Sequence, residues 1–167
     1  ASGTLPKVLV AVAFSGQSCD MRMIAELAER YGFTVIEDAS HAVGASYAGR
    51  PVGCGEYAAM TVFSFHPVKI ITSAEGGMVL TNRPELAERL QRLRSHGMPL
   101  DPQQMTLPSH GPWYYQQVEL GFNYRMTDIQ AALGLSQLGK LDGFIARRRA
   151  LIDRYQAALA ELPLTLP

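Results

Sequence analysis

Residues 8–38 read VLVAVAFSGQSCDMRMIAELAERYGFTVIED. Val8-Leu9-Val10-Ala11-Val12-Ala13-Phe14 is one unbroken apolar run, the pattern of a strand covered on both faces in a parallel sheet. Asp20 is placed to cap a helix with Met23, Ile24 and Leu27 on one face, ending near Tyr31-Gly32. Phe33-Thr34-Val35-Ile36 predicts a second strand that stops at Glu37-Asp38. Strand, helix and strand in about thirty residues make a βαβ unit, so the fold class is α/β.

Outward from this unit, Gly44, Gly49, Pro51, Gly53 and Gly55 mark a loop. A third strand over 59–65 runs into Ser64-Phe65-His66-Pro67-Val68-Lys69. A fourth, over 77–81, follows the Glu75-Gly76-Gly77 turn. A helix begins at about Pro84, with Leu86, Leu90 and Leu93 in register and proline in its first turn. Over 97–124, Pro99, Pro102, Pro108 and Pro112 break any helix, and Trp113, Tyr114 and Tyr115 add aromatic surface. A loop of that length is usually functional or mobile. Thr127-Asp128-Ile129-Gln130 is a capping-box pattern that opens a helix to about Lys140. Gly143 is expected to separate it from a last helix carrying Phe144, Ile145, Ile152, Tyr155 and Leu159.

Composition excludes several classes. Among 167 residues, 15 Lys and Arg balance 15 Asp and Glu, which argues against a general binder of nucleic acid or anionic membrane. With 47% hydrophobic and 18% charged residues, the chain has the means to bury a core. The longest apolar run is far below the ~20 residues that span a bilayer. No basic stretch precedes an apolar one at the start, so no secretory signal is read there. Two cysteines, Cys19 and Cys54, make no disulfide framework, and a reducing, cytoplasmic setting is expected. The absent initiator Met and the abrupt ends predict a piece of a longer protein.

In open α/β sheets, ligands sit outside the carboxyl ends of the strands. Asp38, Ser64 and Lys69 fall at such ends. A lysine amine condenses with an aldehyde, and a carboxylate holds a pyridine nitrogen protonated; pyridoxal phosphate needs both. By residue type alone, the same positions also suit solvated loop residues.

The local sequences narrow the choice. Glu37-Asp38-Ala39-Ser40-His41-Ala42-Val43-Gly44-Ala45, Phe63-Ser64-Phe65-His66-Pro67-Val68-Lys69, Glu75-Gly76-Gly77-Met78, Arg94-Ser95-His96-Gly97 and 120–128 (LGFNYRMTD) resemble the sugar aminotransferases of the DegT/DnrJ/EryC1/StrS family, fold-type I pyridoxal-phosphate enzymes. His66-Pro67-Val68-Lys69 with Ser95-His96-Gly97 looks most like the branch that aminates UDP-4-keto-6-deoxy-N-acetylhexosamines, which includes the pseudaminic-acid pathway.

The resemblance implies a fold: part of the fold-type I large domain, a mainly parallel sheet flanked by helices, plus helices leading to a small domain. Residues 1–96 would be the C-terminal half of the cofactor-binding large domain, 97–126 a substrate and dimer loop region, and 127–167 the helices leading onward. It implies pyridoxal 5'-phosphate as cofactor, with Lys69 as the Schiff-base lysine and general acid/base. Asp38 would pair with the pyridinium nitrogen, His41 would lie against the ring or its phenolic oxygen, and Ser64 would bind the phosphate. Asn123 would reach the phosphate of a neighbouring subunit, which makes a homodimer with a shared site the functional unit. Tyr124 and Arg125 would line the nucleotide-sugar site, and glutamate would donate the amino group.

Other residues read more simply. His66 suits packing, Gly53-Cys54-Gly55 a turn, and Arg147-Arg148-Arg149 the solvated face of the last helix. No Cys-x-x-Cys or His-x-x-x-His spacing points to a metal. A complete enzyme of this kind is roughly twice as long, so this stretch alone is expected to bind cofactor weakly or not at all. A truncated remnant or non-catalytic binding module of the same fold is the competing reading.

Overall fold

The computed structural model describes residues 3–165. The apolar run forms β1 (Val8–Val12), and β2 (Thr34–Asp38) pairs with it in parallel, Val8 opposite Thr34 and Val12 opposite Asp38. Between them lies α1 (Met21–Tyr31). Its first turn is capped by Asp20, whose carboxylate accepts the Met23 N–H at 3.2 Å. Its end is closed by Gly32 at φ +72°, the left-handed conformation that glycine adopts without steric cost. The expected βαβ unit is therefore present.

The glycine-rich stretch holds a small hairpin, β3 (Ser46–Tyr47) and β4 (Arg50–Pro51). Ala48 and Gly49 both have positive φ, the twist that suits a two-residue hairpin turn. β5 (Met60–Ser64) pairs in parallel with β2, and β6 (Gly77–Leu80) pairs antiparallel with β5. The sheet order is β1-β2-β5-β6. Three parallel strands and one antiparallel edge strand make the sheet mainly parallel, as expected. Helices α2 (Pro84–Leu93), α3 (Asp128–Leu138) and α4 (Leu141–Leu159) follow. Thr127 and Gln130 form the capping box at the start of α3.

Period-two alternation decides what each strand buries. Leu9, Ala11, Val35 and Met21 form one cluster beneath α1. On the same face, Glu37 is 7% exposed and accepts the hydroxyl of the buried Thr61 at 3.0 Å. A second cluster, with Ala13, Ala39, Ala42, Val43, Phe63 and Ile71, gathers at the carboxyl ends of the strands, and Leu141 and Phe144 of α4 pack against it.

Two expectations are corrected. β1 is covered on one face only: Val8, Val10 and Val12 are 49%, 55% and 47% exposed. α1 packs on the Leu9 and Ala11 side, and among the described residues no element packs on the other. The helix break falls at Gly139 and Lys140 rather than at Gly143, which lies inside α4. Nothing stands within 4 Å of a Cβ built on Gly143, so the position is helical surface that tolerates glycine at about 1 kcal/mol relative to alanine.

The long 97–124 segment is pinned at its root. Phe122 N–H donates to Leu93 O at 2.7 Å, His96 N–H to Phe122 O at 2.8 Å and Tyr124 N–H to Arg94 O at 2.9 Å. Arg92 pairs with Glu119 across the same root. Gly97, at φ +71°, lies so close to Glu119 that any Cβ would overlap its carbonyl oxygen. Among the described residues no helix is long and apolar enough to cross a membrane.

Candidate active site

Asp38 is the last residue of β2, and its parallel partner on β5 is Val62. Alternation along β5 puts Val62 and Ser64 on the face that Asp38 occupies. The Asp38 carboxylate accepts the Ser40 N–H at 3.0 Å. The Ser40 side chain holds this carboxyl below the ordinary aspartate range; partial burial opposes it, and the Ser40 N–H, His41 and Lys69 each add a smaller downward pull. Asp38 is thus a half-buried carboxylate kept charged, with a histidine and a lysine near enough to influence it.

His41 stands in the turn after β2. That turn is anchored by Ala39 and Ala42, both fully buried, and by the Ala42 N–H bond to Ala39 O at 2.8 Å. The His41 Nδ1 lies 3.2 Å from the Ser15 N–H, which donates to it, and its ring packs against Phe14 at 5.7 Å between centroids.

Lys69 sits in the loop between β5 and β6, and a net of bonds shapes that loop. The Lys69 N–H donates to His66 O at 3.0 Å, Ser73 N–H to Phe65 O at 3.0 Å and Phe65 N–H to Gly76 O at 2.9 Å. His66 is exposed and pairs with Glu75 at 3.0 Å rather than packing inside. Gly76 is needed where the loop closes, since a Cβ there would run into Ser73 Oγ and the Met126 sulfur. Ser64 Oγ faces the His66 N–H at 3.5 Å, at the limit of a hydrogen bond.

His41 and Lys69 line one cleft of about 610 Å³, together with Ser15 and, from α4, Arg148, Arg149 and Tyr155. That volume suits a cofactor or small ligand. A second void of about 10 Å³, beside Glu37 and Tyr47, holds at most a water. Asp38 and Ser64 stand at the neighbouring strand ends, outside the cleft lining.

Asn123, Tyr124 and Arg125 are placed elsewhere. Asn123 bridges to Ser95 through the backbone, Tyr124 stacks on Phe122 at 4.8 Å, and all three are exposed and line no part of the cleft. The structure therefore places His41 and Lys69 on one cleft, with Asp38 at a neighbouring strand end within their electrostatic reach, and leaves the 123–125 group apart.

Sequence reasoning missed two contributions. Arg147, Arg148 and Arg149 are exposed, as expected, but Arg148 and Arg149 also border the cleft, which was not foreseen. Their spacing from Ile145, Ile152 and Tyr155 on one helical face was the available signal. Ser15 meets His41 across 26 residues of chain, and Phe14 packs on the same ring. No local pattern announces such a contact.

The sequence model of the DegT/DnrJ/EryC1/StrS aminotransferase family matches residues 3–167. Helicobacter pylori PseC, an aminotransferase involved in the biosynthesis of pseudoaminic acid, is similar at 34% identity over 92% of this chain and 38% of its own, with a TM-score of 0.82. DesI, solved in the presence of its TDP-sugar product, is 30% identical over 99% of this chain and 39% of its own, with a TM-score of 0.81. The PLP-form of the sugar aminotransferase Spr1654 from Streptococcus pneumoniae is 30% identical over 93% of this chain and 42% of its own, with a TM-score of 0.76. The chain spans about two fifths of the length of these solved structures.

Proposed function

The chain belongs to the DegT/DnrJ/EryC1/StrS aminotransferase family, and from that membership we propose that it carries the lysine-bearing part of a pyridoxal-phosphate enzyme that aminates a nucleotide-linked keto-sugar. The observation that carries this reading is the grouping of Asp38, His41 and Lys69 at the carboxyl ends of parallel strands, beside one cleft. The donor set fits pyridoxal phosphate: a charged carboxylate, an imidazole and a primary amine are the groups its ring and aldehyde call for. When bound, the cofactor supplies an aldehyde for amine exchange and a ring that withdraws electrons from the reacting carbon.

In this reading the Lys69 amine holds the cofactor and then carries the proton between the two reacting carbons. Asp38 keeps the proton on the pyridine nitrogen, which its depressed pKa favours by leaving it ionised. His41 donates to the phenolic oxygen, and Ser64 to the phosphate. Asn123, exposed and outside the cleft, reaches the phosphate held by a second copy of the chain, so the working unit is a homodimer. Tyr124 and Arg125 contact the nucleotide sugar. Residues 1–96 serve as part of the large domain, 97–126 as the loop region between subunits and 127–167 as the approach to a small domain. The TDP-sugar product named for DesI supports a nucleotide-linked sugar; to this the proposal adds glutamate as amino donor and cytoplasmic amino-sugar synthesis for surface glycans.

The test uses the complete coding frame that contains this chain. Pyridoxal phosphate is expected to produce a visible absorption band that Lys69→Ala abolishes. With glutamate and a panel of UDP- and dTDP-keto-sugars, mass spectrometry is expected to find an amino-sugar product. A bound cofactor with no aminated sugar overturns the substrate class, and no band at all overturns the cofactor.

A further inference from the structure

We infer that the turn Phe14–Gly16 is a positioning element for His41, which sets the proton on the imidazole that faces the cleft. Two contacts of the turn reach this side chain, and two backbone features of the turn set where they fall. The Ser15 N–H donates to His41 Nδ1 at 3.2 Å. The Phe14 ring packs against the imidazole at 5.7 Å and 57°. Gly16 runs so close to the His41 backbone that a Cβ would stand 3.0 Å from its carbonyl oxygen. Ser15 itself holds φ 55° and ψ 19°, a left-handed conformation that a non-glycine residue adopts at a cost.

The chemistry follows from the donor. A backbone N–H has no lone pair to offer, so the ring nitrogen it meets must be the acceptor. In the neutral ring the proton then resides on Nε2, and the imidazole presents an N–H donor rather than a lone pair. The Phe14 contact braces the ring beside that bond, and the close Gly16 approach to the His41 carbonyl holds the two backbones in register. The strained Ser15 backbone is what delivers its N–H to the side chain. Ser15 and Gly16 line the same cleft as His41 and Lys69, so the device sits at the site it serves. Ser15 and Phe14 are positioning residues: they act through His41 and donate nothing to a ligand in this role. The hydrogen bond stands on geometry alone; only the identity of what Nε2–H meets, an anionic oxygen on the cofactor, rests on the proposed function.

The experiment is heteronuclear NMR on the isotope-labelled chain at about pH 8, above the ordinary histidine pKa of about 6.5. The chain has four histidines, so His41→Gln assigns the ring by removing one set of signals. The expected result is a coupling across the hydrogen bond from the Ser15 amide nitrogen to His41 Nδ1, with His41 as a single Nε2–H tautomer. Ser15→Gly keeps the N–H and relieves the backbone cost, so the coupling persists. Ser15→Pro removes the N–H, so the coupling vanishes and both tautomers are populated. It also weakens pyridoxal phosphate binding in the complete coding frame about tenfold, roughly the worth of one hydrogen bond. A native spectrum with no coupling and mixed tautomers in the unaltered chain overturns the inference, whether or not Ser15→Pro folds. Coupling present while no variant binds cofactor upholds the positioning and sinks the cofactor reading instead.

Discussion

The Asp38 carboxyl accepts the Ser40 N–H and lies within the influence of His41 and Lys69, so its folded pKa is depressed. A depressed carboxyl takes up its proton later in the folded chain than in the unfolded one. Its contribution to stability is therefore complete above the ordinary aspartate value, about 4, and is lost as pH falls from there through the folded value. Urea denaturation at a series of acid pH values checks this. Asp38→Asn is expected to flatten the profile below about pH 4, and parallel profiles in the two proteins would refute the assignment. Asp38 and Lys69 were legible from the quoted motifs, because each lies at a strand end that hydrophobic patterning marks. The Ser15 bond to His41 was not, since it joins residues 26 apart and depends on a left-handed backbone at a serine.

At the scale of elements, the seat of α4 is the glycine after the His41 turn. A Cβ on Gly44 would stand 2.5 Å from Ile145 Cδ1, and its φ of +79° strains any other residue. Gly44→Val should therefore push α4 away from the second core cluster and cost about 2–3 kcal/mol, the sum of overpacking and backbone strain. Thermal unfolding measures the loss, and faster hydrogen exchange early in α4 locates it. Unchanged stability would mean that α4 is free of Gly44. The start of α3 was readable in advance, because a capping box is written in four consecutive residues, Thr127 to Gln130. The end of α3 was not. Gly143 looks like a breaker locally, yet it faces open space, and the chain breaks instead at Gly139 and Lys140, where Leu141 turns onto Gly44. The hairpin β3–β4 was read as loop for a related reason: two-residue strands are too short to show alternation.

At the scale of the whole molecule, the sheet is dressed on one side. Among the described residues the face with Val8, Val10 and Val12 is open and β1 stands at the sheet edge, two conditions under which this stretch of chain, taken by itself, favours association of sheets. Val10→Lys is expected to change stability by no more than about 0.5 kcal/mol and to lower self-association measured by sedimentation at rising concentration. Loss of the fold in that variant would show that Val10 belongs to a core. Local sequence carried the α/β class, the parallel βαβ unit and the capping of α1 and α3, and through its family motifs it pointed to Asp38 and Lys69 as candidates. Those features depend on residues near one another along the chain, where periodicity, caps and motifs speak directly. The tertiary structure alone decided which face of β1 is bare, that Arg148 and Arg149 reach the cleft, that Asn123 does not, and that Ser15 holds His41. Each of these depends on distant segments meeting at short range, and hydrophobic patterning constrains which residues are buried far more tightly than which partners they find.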